Sequence, residues 1–367
     1  MKNKPVDFNL LLFTMLLVAI GLVMVFSASS VMAMFRMNDS YYFLKRQFLW
    51  ATMGFFAMVY MMNFDYHYLE KYKRHLFVIS IILLGLVFVP GIGINIKGAS
   101  RWIGYGNLSI QPSEIAKIAL IVCLASNISQ KQDRIKSFFK GVVPNLIIVG
   151  IFFVLIALEP NMSTAGIIAI VGLVIIYVGG AKLSNILSLI GLGGVLGGIM
   201  IFAEQYRMNR VLAFLDPWKD MQGKGYQVVQ SLYALGSGGI FGVGLGRSRQ
   251  KLFYIPEPQN DFIFSILGEE LGFIGALFVI TLFLLFIIRG LRIAAKAPDL
   301  FGCLLAVGIT SLIGVQFLLN IAVVTASMPP TGVPLPFISY GGSSLVFTMA
   351  QVGILLNISR YADSDKG

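Results

Sequence analysis

Long apolar runs, each near the length of a bilayer crossing, alternate along the chain with short polar connections. A helix that is apolar on every side belongs in lipid or deep in a protein, and roughly 20 such residues cross the hydrocarbon core. On that measure the pattern predicts ten transmembrane helices, near residues 10–31, 47–63, 75–94, 114–129, 141–158, 163–181, 184–203, 262–288, 300–324 and 341–358. The apolar segments recur from Phe8 to Ile358, and no polar stretch between them is long enough for an independent domain. A single all-α membrane domain over 1–367 is therefore expected, with one long outer loop, 204–260, between helices seven and eight. Lys2 and Lys4 precede the first run, but Leu10 to Val31 is too long for a signal-peptide core and lacks a small-residue cleavage site, so it is read as the first helix.

Composition agrees with the pattern: 57% of residues are hydrophobic and 12% charged, and the mean hydropathy is +0.83. Charge then adds direction. Ten crossings place both termini on one side, and the connections on that side carry Lys71, Lys73, Arg74, Lys131, Arg134, Lys136, Lys140, Lys182, Arg289, Arg292 and Lys296, besides the terminal Lys2, Lys4, Arg360 and Lys366. The short opposite loops hold Arg36, Lys45, Arg46, Lys97 and Arg101. Basic residues concentrate in short cytoplasmic connections, so both termini are assigned to the cytoplasm. The net charge of +11 is dispersed among these connections rather than gathered on one face, which speaks for topology and against nucleic acid. Tyr41, Tyr42, Trp50, Tyr66, Tyr68 and Tyr72 fall near the interfaces as anchors.

Several chemistries drop out. His67 and His75 are the only histidines and lie on the cytoplasmic side, which removes a histidine triad or zinc site from the outer face. No Walker motif occurs. Cys123 and Cys303 fall within spans and read as packing residues. No internal repeat stands out, which weighs against an inverted-repeat transporter.

The polar information concentrates on the outer side in four constellations. The first joins Lys97-Gly98-Ala99-Ser100-Arg101-Trp102 to Gln111-Pro112-Ser113-Glu114, a helix entrance with proline in its first turn. Glu114 and Lys117, three apart, share a face and read either as a structural ion pair or as a substrate contact. The second runs from Asp216-Pro217-Trp218 through the glycine-rich stretch Gly225 to Gly246 into Arg247, Arg249 and Lys251. Cations beside exposed backbone donors suit a diphosphate, or else lipid headgroups. The third is Pro256 to Phe264 with Gly268-Glu269-Glu270; Asp261 stands at a helix mouth, as a reactive carboxylate or as a cap. The fourth, Met328 to Ser344, carries four prolines after Met328 and cannot be a regular helix. Such backbone survives at membrane depth only against protein or water, lining a groove or capping the bundle.

These segments, in this order and on this topology, resemble the shape, elongation, division and sporulation (SEDS) family over nearly the whole chain. Asp216-Pro217-Trp218 with Ser248 to Leu252 resembles the division and sporulation branch, FtsW and SpoVE, more than the elongation protein RodA. The resemblance implies a peptidoglycan glycosyltransferase that polymerises lipid II at the outer face of the cytoplasmic membrane and releases polyprenyl diphosphate. It implies Asp261 as the catalytic base, Arg101, Arg210, Arg247 and Lys251 as holders of diphosphate charge, and Glu114 and Lys117 as orienting or substrate-binding groups. The implied partners are lipid II and polyprenyl-diphosphate-linked glycan, membrane lipid and a class B penicillin-binding transpeptidase; a divalent cation, Mg or Mn, is an open accessory. Two positions depart from the family pattern. Gln259-Asn260 replaces a pair that often begins with histidine, leaving Asp261 without a histidine neighbour, and Asn161 stands where aspartate is frequent. A lipid II flippase, the competing reading, needs ionisable groups spread across the membrane; here they cluster in the outer half. A scaffold for the transpeptidase is compatible with the enzyme.

Overall fold

The computed structural model describes residues 5–362 except 97–98, 106–107, 203–204, 221–222 and 224. Its helices are α1 (Phe8–Met37), α2 (Tyr42–Asn63), α3 (His67–Lys71), α4 (Lys73–Leu86), α5 (Pro112–Gln130), α6 (Val143–Leu158), α7 (Met162–Val178), α8 (Leu183–Phe202), α9 (Gln205–Leu215), α10 (Tyr226–Gly238), α11 (Ile263–Ala295), α12 (Leu300–Val324) and α13 (Ser343–Tyr361). All ten expected crossings coincide with a helix: α1, α2, α4 to α8, and α11 to α13. Among the described residues five segments satisfy length and hydropathy for a span by themselves: Phe8–Met37, Pro112–Gln130, Phe138–Leu158, Ile263–Ala295 and Leu300–Val324. The protein is a mostly helical, multi-pass membrane protein.

Local chemistry sets several helix ends. The Asp7 carboxylate accepts from Leu10 N at 2.9 Å and Asp299 from Gly302 N at 2.7 Å, each capping a first turn. Pro112 opens α5, where its missing N–H costs nothing. α4 stops at Leu86 instead of near 94: Pro90 and Gly91 turn the chain, the latter at φ +87°, into a three-stranded antiparallel sheet, β1 (Gly93–Ile96), β2 (Ala99–Tyr105) and β3 (Leu108–Ile110). This sheet, and α9 and α10, occupy outer segments read as loops from the sequence.

Connections pair as the crossing pattern requires. At the end read as outer from the charge pattern, the Ser163 hydroxyl donates to Thr331 O at 2.8 Å, and Gln111 N donates to the Ser343 hydroxyl at 3.3 Å. At the opposite end Tyr66 N donates to Asn357 Oδ1 at 3.0 Å, the Tyr66 hydroxyl donates to Asp299, and Asp7 N donates to the Ser359 hydroxyl at 3.1 Å. α5 and α12 are the most enclosed spans, whereas α4, α6 and α8 present broad apolar faces outward.

The proline-rich connection between α12 and α13 folds down into the bundle. Val333, Leu335, Phe337, Ile338 and Ser339 are buried, and the Phe337 ring meets Phe286 at 5.6 Å between centroids. A Cβ on Gly21 of α1 would come 2.4 Å from Phe337 O, so this approach needs glycine there. Irregular backbone at this depth is tolerated because its polar groups find partners: Leu335 N donates to the Ser339 hydroxyl at 2.8 Å, and Gln47 Nε2 donates to Ser339 O at 3.2 Å.

α11 is broken at Gly272, whose φ of 68° and ψ of −169° belong to glycine alone. The break exposes backbone groups that the segment after α10 satisfies. Val243 N donates to Glu269 O and Gly244 N to Glu270 O, both at 3.0 Å, while Phe273 N donates to Gly239 O at 2.9 Å. A Cβ on Gly272 would lie 2.3 Å from Gly242 N and 2.5 Å from Ile240 O. Backbone cannot retreat as a side chain can, so Gly272→Ala is expected to destabilise the fold by about 2–4 kcal/mol from dihedral strain and overpacking. Thermal unfolding in detergent checks this; an unchanged midpoint would refute the clamp.

Candidate active site

Pro256 and Pro258 keep the chain irregular up to the first residue of α11, Ile263, and leave Asp261 at the outer mouth of that helix. Asp261 is half-buried. Its turn is tied from two sides: Asn320 Nδ2 on α12 donates to Asp261 O at 2.8 Å, and Tyr340 N donates to Gln259 O at 2.9 Å. The carboxylate faces the re-entrant connection, and a Cβ built on Gly332 would sit 3.7 Å from Asp261 Oδ2. Glycine there, at φ +69°, permits the turn.

Arg101 projects from β2 to the outer end of α6, donating from Nε to Glu159 O at 3.2 Å and from a terminal nitrogen to Pro160 O. The sheet thereby carries a guanidinium to the connection that Ser163 ties to Thr331, next to Gly332. Glu159, just past the end of α6, is fully buried, and neither carboxylate oxygen has a hydrogen-bond partner. Burial pushes its carboxyl up to about 8, against the pull of Arg101. The folded protein thus keeps a proton that the unfolded chain releases near the ordinary 4.5, so this group removes stability as pH rises from there to about 8. Glu159→Gln, neutral throughout, is expected to match wild type in thermal stability at about pH 5 and to exceed it at about pH 9. A difference independent of pH would count against a buried, protonated Glu159. Asn161, buried beside it, supplies no carboxylate at the position where the family often has one.

The other expected residues divide. Glu114 and Lys117 form a buried ion pair in the first turns of α5, with Lys117 Nζ 2.9 Å from Oε1 and 2.8 Å from Oε2 of Glu114. Of the two readings open from sequence, this geometry is that of a structural ion pair. Arg247 and Arg249 are exposed. Lys251 departs from its expected place: it is buried, and its ammonium contacts Glu270 Oε1 at 2.8 Å and the Ser27 hydroxyl at 3.2 Å. In this arrangement the ammonium is committed to a buried carboxylate and is not presented at the surface beside Arg247. Arg210 lies within α9, and its side chain, like Lys97, is outside the described residues. Glu269 and Glu270, about two turns below the helix mouth, are both buried. Among the described residues no group of three or more His, Cys, Asp and Glu side chains is placed to hold a metal ion.

This arrangement is a half-buried carboxylate at a helix mouth, with a guanidinium delivered to the adjoining connection and two exposed arginines on the preceding loop. The profile of the cell cycle protein family of FtsW, RodA and SpoVE matches residues 8–364. The chain belongs to this family. Stage V sporulation protein E of Bacillus subtilis is 49% identical over 363 residues, covering 98% of both chains. A probable peptidoglycan glycosyltransferase FtsW of Geobacter sp. strain M18 is 46% identical over 355 residues, covering 96% of each. Among solved structures, a chain from a study of the structural coordination of polymerization and crosslinking by a peptidoglycan synthase complex superposes with a TM-score of 0.82 at 27% identity, covering 98% of this chain and 99% of its own. Thermus thermophilus RodA superposes at 0.72 and 26% identity, covering 98% of each chain. The FtsW/RodA/SpoVE membership thus rests on the full length of the chain and on its fold.

Asn320, Glu159 and Ser27 did not emerge from the sequence as site residues. For Asn320 and Glu159 a signal was present: an amide inside the apolar run of α12, and a carboxylate at the end of an apolar run, are each costly without a reason. Ser27 carried none, because a serine in a span is commonplace.

Proposed function

We propose that the protein is a peptidoglycan glycosyltransferase that polymerises lipid II at the outer face of the cytoplasmic membrane. The observation that carries this reading is the Asp261 carboxylate, held by its backbone at the outer helix mouth and facing the connection that carries Gly332. Chain growth requires a sugar hydroxyl of one lipid-linked unit to attack the anomeric carbon of another. The new bond joins that oxygen to the anomeric carbon, the bond from the carbon to the diphosphate oxygen breaks, the hydroxyl proton passes to Asp261, and polyprenyl diphosphate leaves with its electron pair. Developing negative charge on the leaving group calls for cations. Arg101, at the adjoining connection, and the exposed Arg247 fit that role, and Arg249 joins them in place of the buried Lys251. A divalent cation would be brought by the diphosphate.

The names of the curated relatives point to division or sporulation, and the synthase complex in the structural comparison couples polymerization with crosslinking. By extension, this chain works with a class B penicillin-binding transpeptidase, in the septal or forespore membrane. The test is glycan-strand formation from purified lipid II in liposomes by wild type and Asp261→Ala, each with a partner transpeptidase whose own active site is inactivated. Polymer from wild type and none from a folded Asp261→Ala supports the reading; polymer from both removes Asp261 from it, and transport of lipid II without polymer from either replaces the enzyme with a flippase.

A further inference from the structure

A side chain one helix away from Asp261 links the two segments that face each other across the site. Asn320 lies on α12, 1% exposed, within the apolar run Phe317-Leu318-Leu319-Asn320-Ile321-Ala322. Its Nδ2 donates to Asp261 O at 2.8 Å and to Val333 O at 2.9 Å. Both partners are backbone carbonyls, which only accept, so the orientation of the amide is determined and both of its hydrogens are committed. The remaining atom, Oδ1, is buried without a partner. A buried asparagine kept only for packing would be expected to satisfy both ends, or to be replaced by an apolar residue of the same shape. This one leaves its acceptor unmet and spends its donors on the catalytic candidate's own peptide and on the connection that carries Gly332.

We infer that Asn320 is a positioning residue for the polymerase reaction: its amide locks the Asp261 turn to the Val333 connection and so fixes the carboxylate against the substrate hydroxyl. The inference rests on the reading of Asp261 as the base. Tyr340 N, donating to Gln259 O at 2.9 Å, holds the other side of the same turn, so without Asn320 the turn stays attached there but loses its tie to α12 and to the Val333 connection. A displacement of the base by about 1 Å is enough to cost on the order of 100-fold in rate without weakening substrate binding, because proton transfer depends on alignment and ground-state binding does not.

Asn320→Ala and the isosteric Asn320→Asp test this with purified protein and the inactivated transpeptidase partner on lipid II in liposomes. A buried aspartate facing two carbonyls takes up a proton and keeps the shape, but offers one O–H donor in place of two N–H donors, so at most one of the two segments stays tied. Each variant is expected to lower kcat by roughly 10- to 100-fold with KM within about 2-fold of wild type. Faster amide hydrogen exchange in 257–262 and 331–336, with the exchange of α5 and α13 unchanged, is expected alongside. A merely structural role predicts instead a lower folded fraction, faster exchange throughout the bundle and an unaltered kcat per folded molecule. Should Asn320→Ala fail to fold, Asn320→Asp, which preserves volume, gives the same readings. Full kcat in a folded variant while Asp261→Ala is inactive overturns the inference and leaves the base in place; so does a raised KM at unchanged kcat. Activity in Asp261→Ala overturns the reading beneath it.

Discussion

Asp261→Asn is expected to reduce the rate of glycan-strand synthesis by about 10²–10⁴-fold while leaving the fold and the binding of lipid II nearly intact. The amide matches the carboxylate in size, so the turn, including the bond from Asn320 Nδ2 to Asp261 O at 2.8 Å, is retained. What disappears is the capacity to take a proton. The helix-dipole part of the charge is small: an anion ahead of a helix start gains only about 0.3–1 kcal/mol from it. The measurement is single-turnover polymerisation at saturating lipid II, with thermal unfolding in parallel. A rate within a few-fold of wild type would eliminate Asp261 as the base. A large loss of stability instead would reassign it as a cap, the other reading that its position at a helix mouth allows.

Lys251→Met is expected to destabilise the protein by about 3–5 kcal/mol, because it leaves a buried carboxylate with its cation removed. The site is a closed polar cluster at the break in α11. Lys251 Nζ and Glu270 Oε1 are 2.8 Å apart, and the Ser27 hydroxyl of α1 lies 2.7 and 2.6 Å from the two oxygens of Glu270 and donates to that carboxylate. Glu269, adjacent, accepts from Arg249 N at 2.9 Å and from the Ser248 hydroxyl. Two neighbouring glutamates thus fasten the loop after α10 to α11, and one of them fastens both to α1. Adding Glu270→Gln to Lys251→Met removes the orphaned charge and is expected to restore part of the loss. Thermal unfolding of wild type and the two variants in one detergent reads this directly. The alternative expectation, in which Lys251 holds substrate diphosphate, predicts a raised KM and an unchanged unfolding midpoint; that outcome would sink the structural assignment.

The sequence by itself determined the helical class and the order of the apolar helices, the proline-dictated irregularity between α12 and α13, and the position of Asp261 at a helix mouth. Each is local: a run of apolar residues seeks lipid whatever its neighbours do, and proline removes a backbone donor wherever it stands. Tertiary structure alone decided which polar groups meet. Lys251 looked from the sequence like Arg247, one cation in a short basic run; packing left the arginine exposed and drew the lysine onto Glu270, 19 positions on, beside Ser27. Asn320 reaches Asp261 across 59 positions, and Arg101 reaches Glu159 across 58. Outside water a polar group must be met by whichever partner the folded bundle brings within about 3 Å, and that choice depends on helix rotation and depth, which hydropathy along the chain does not encode.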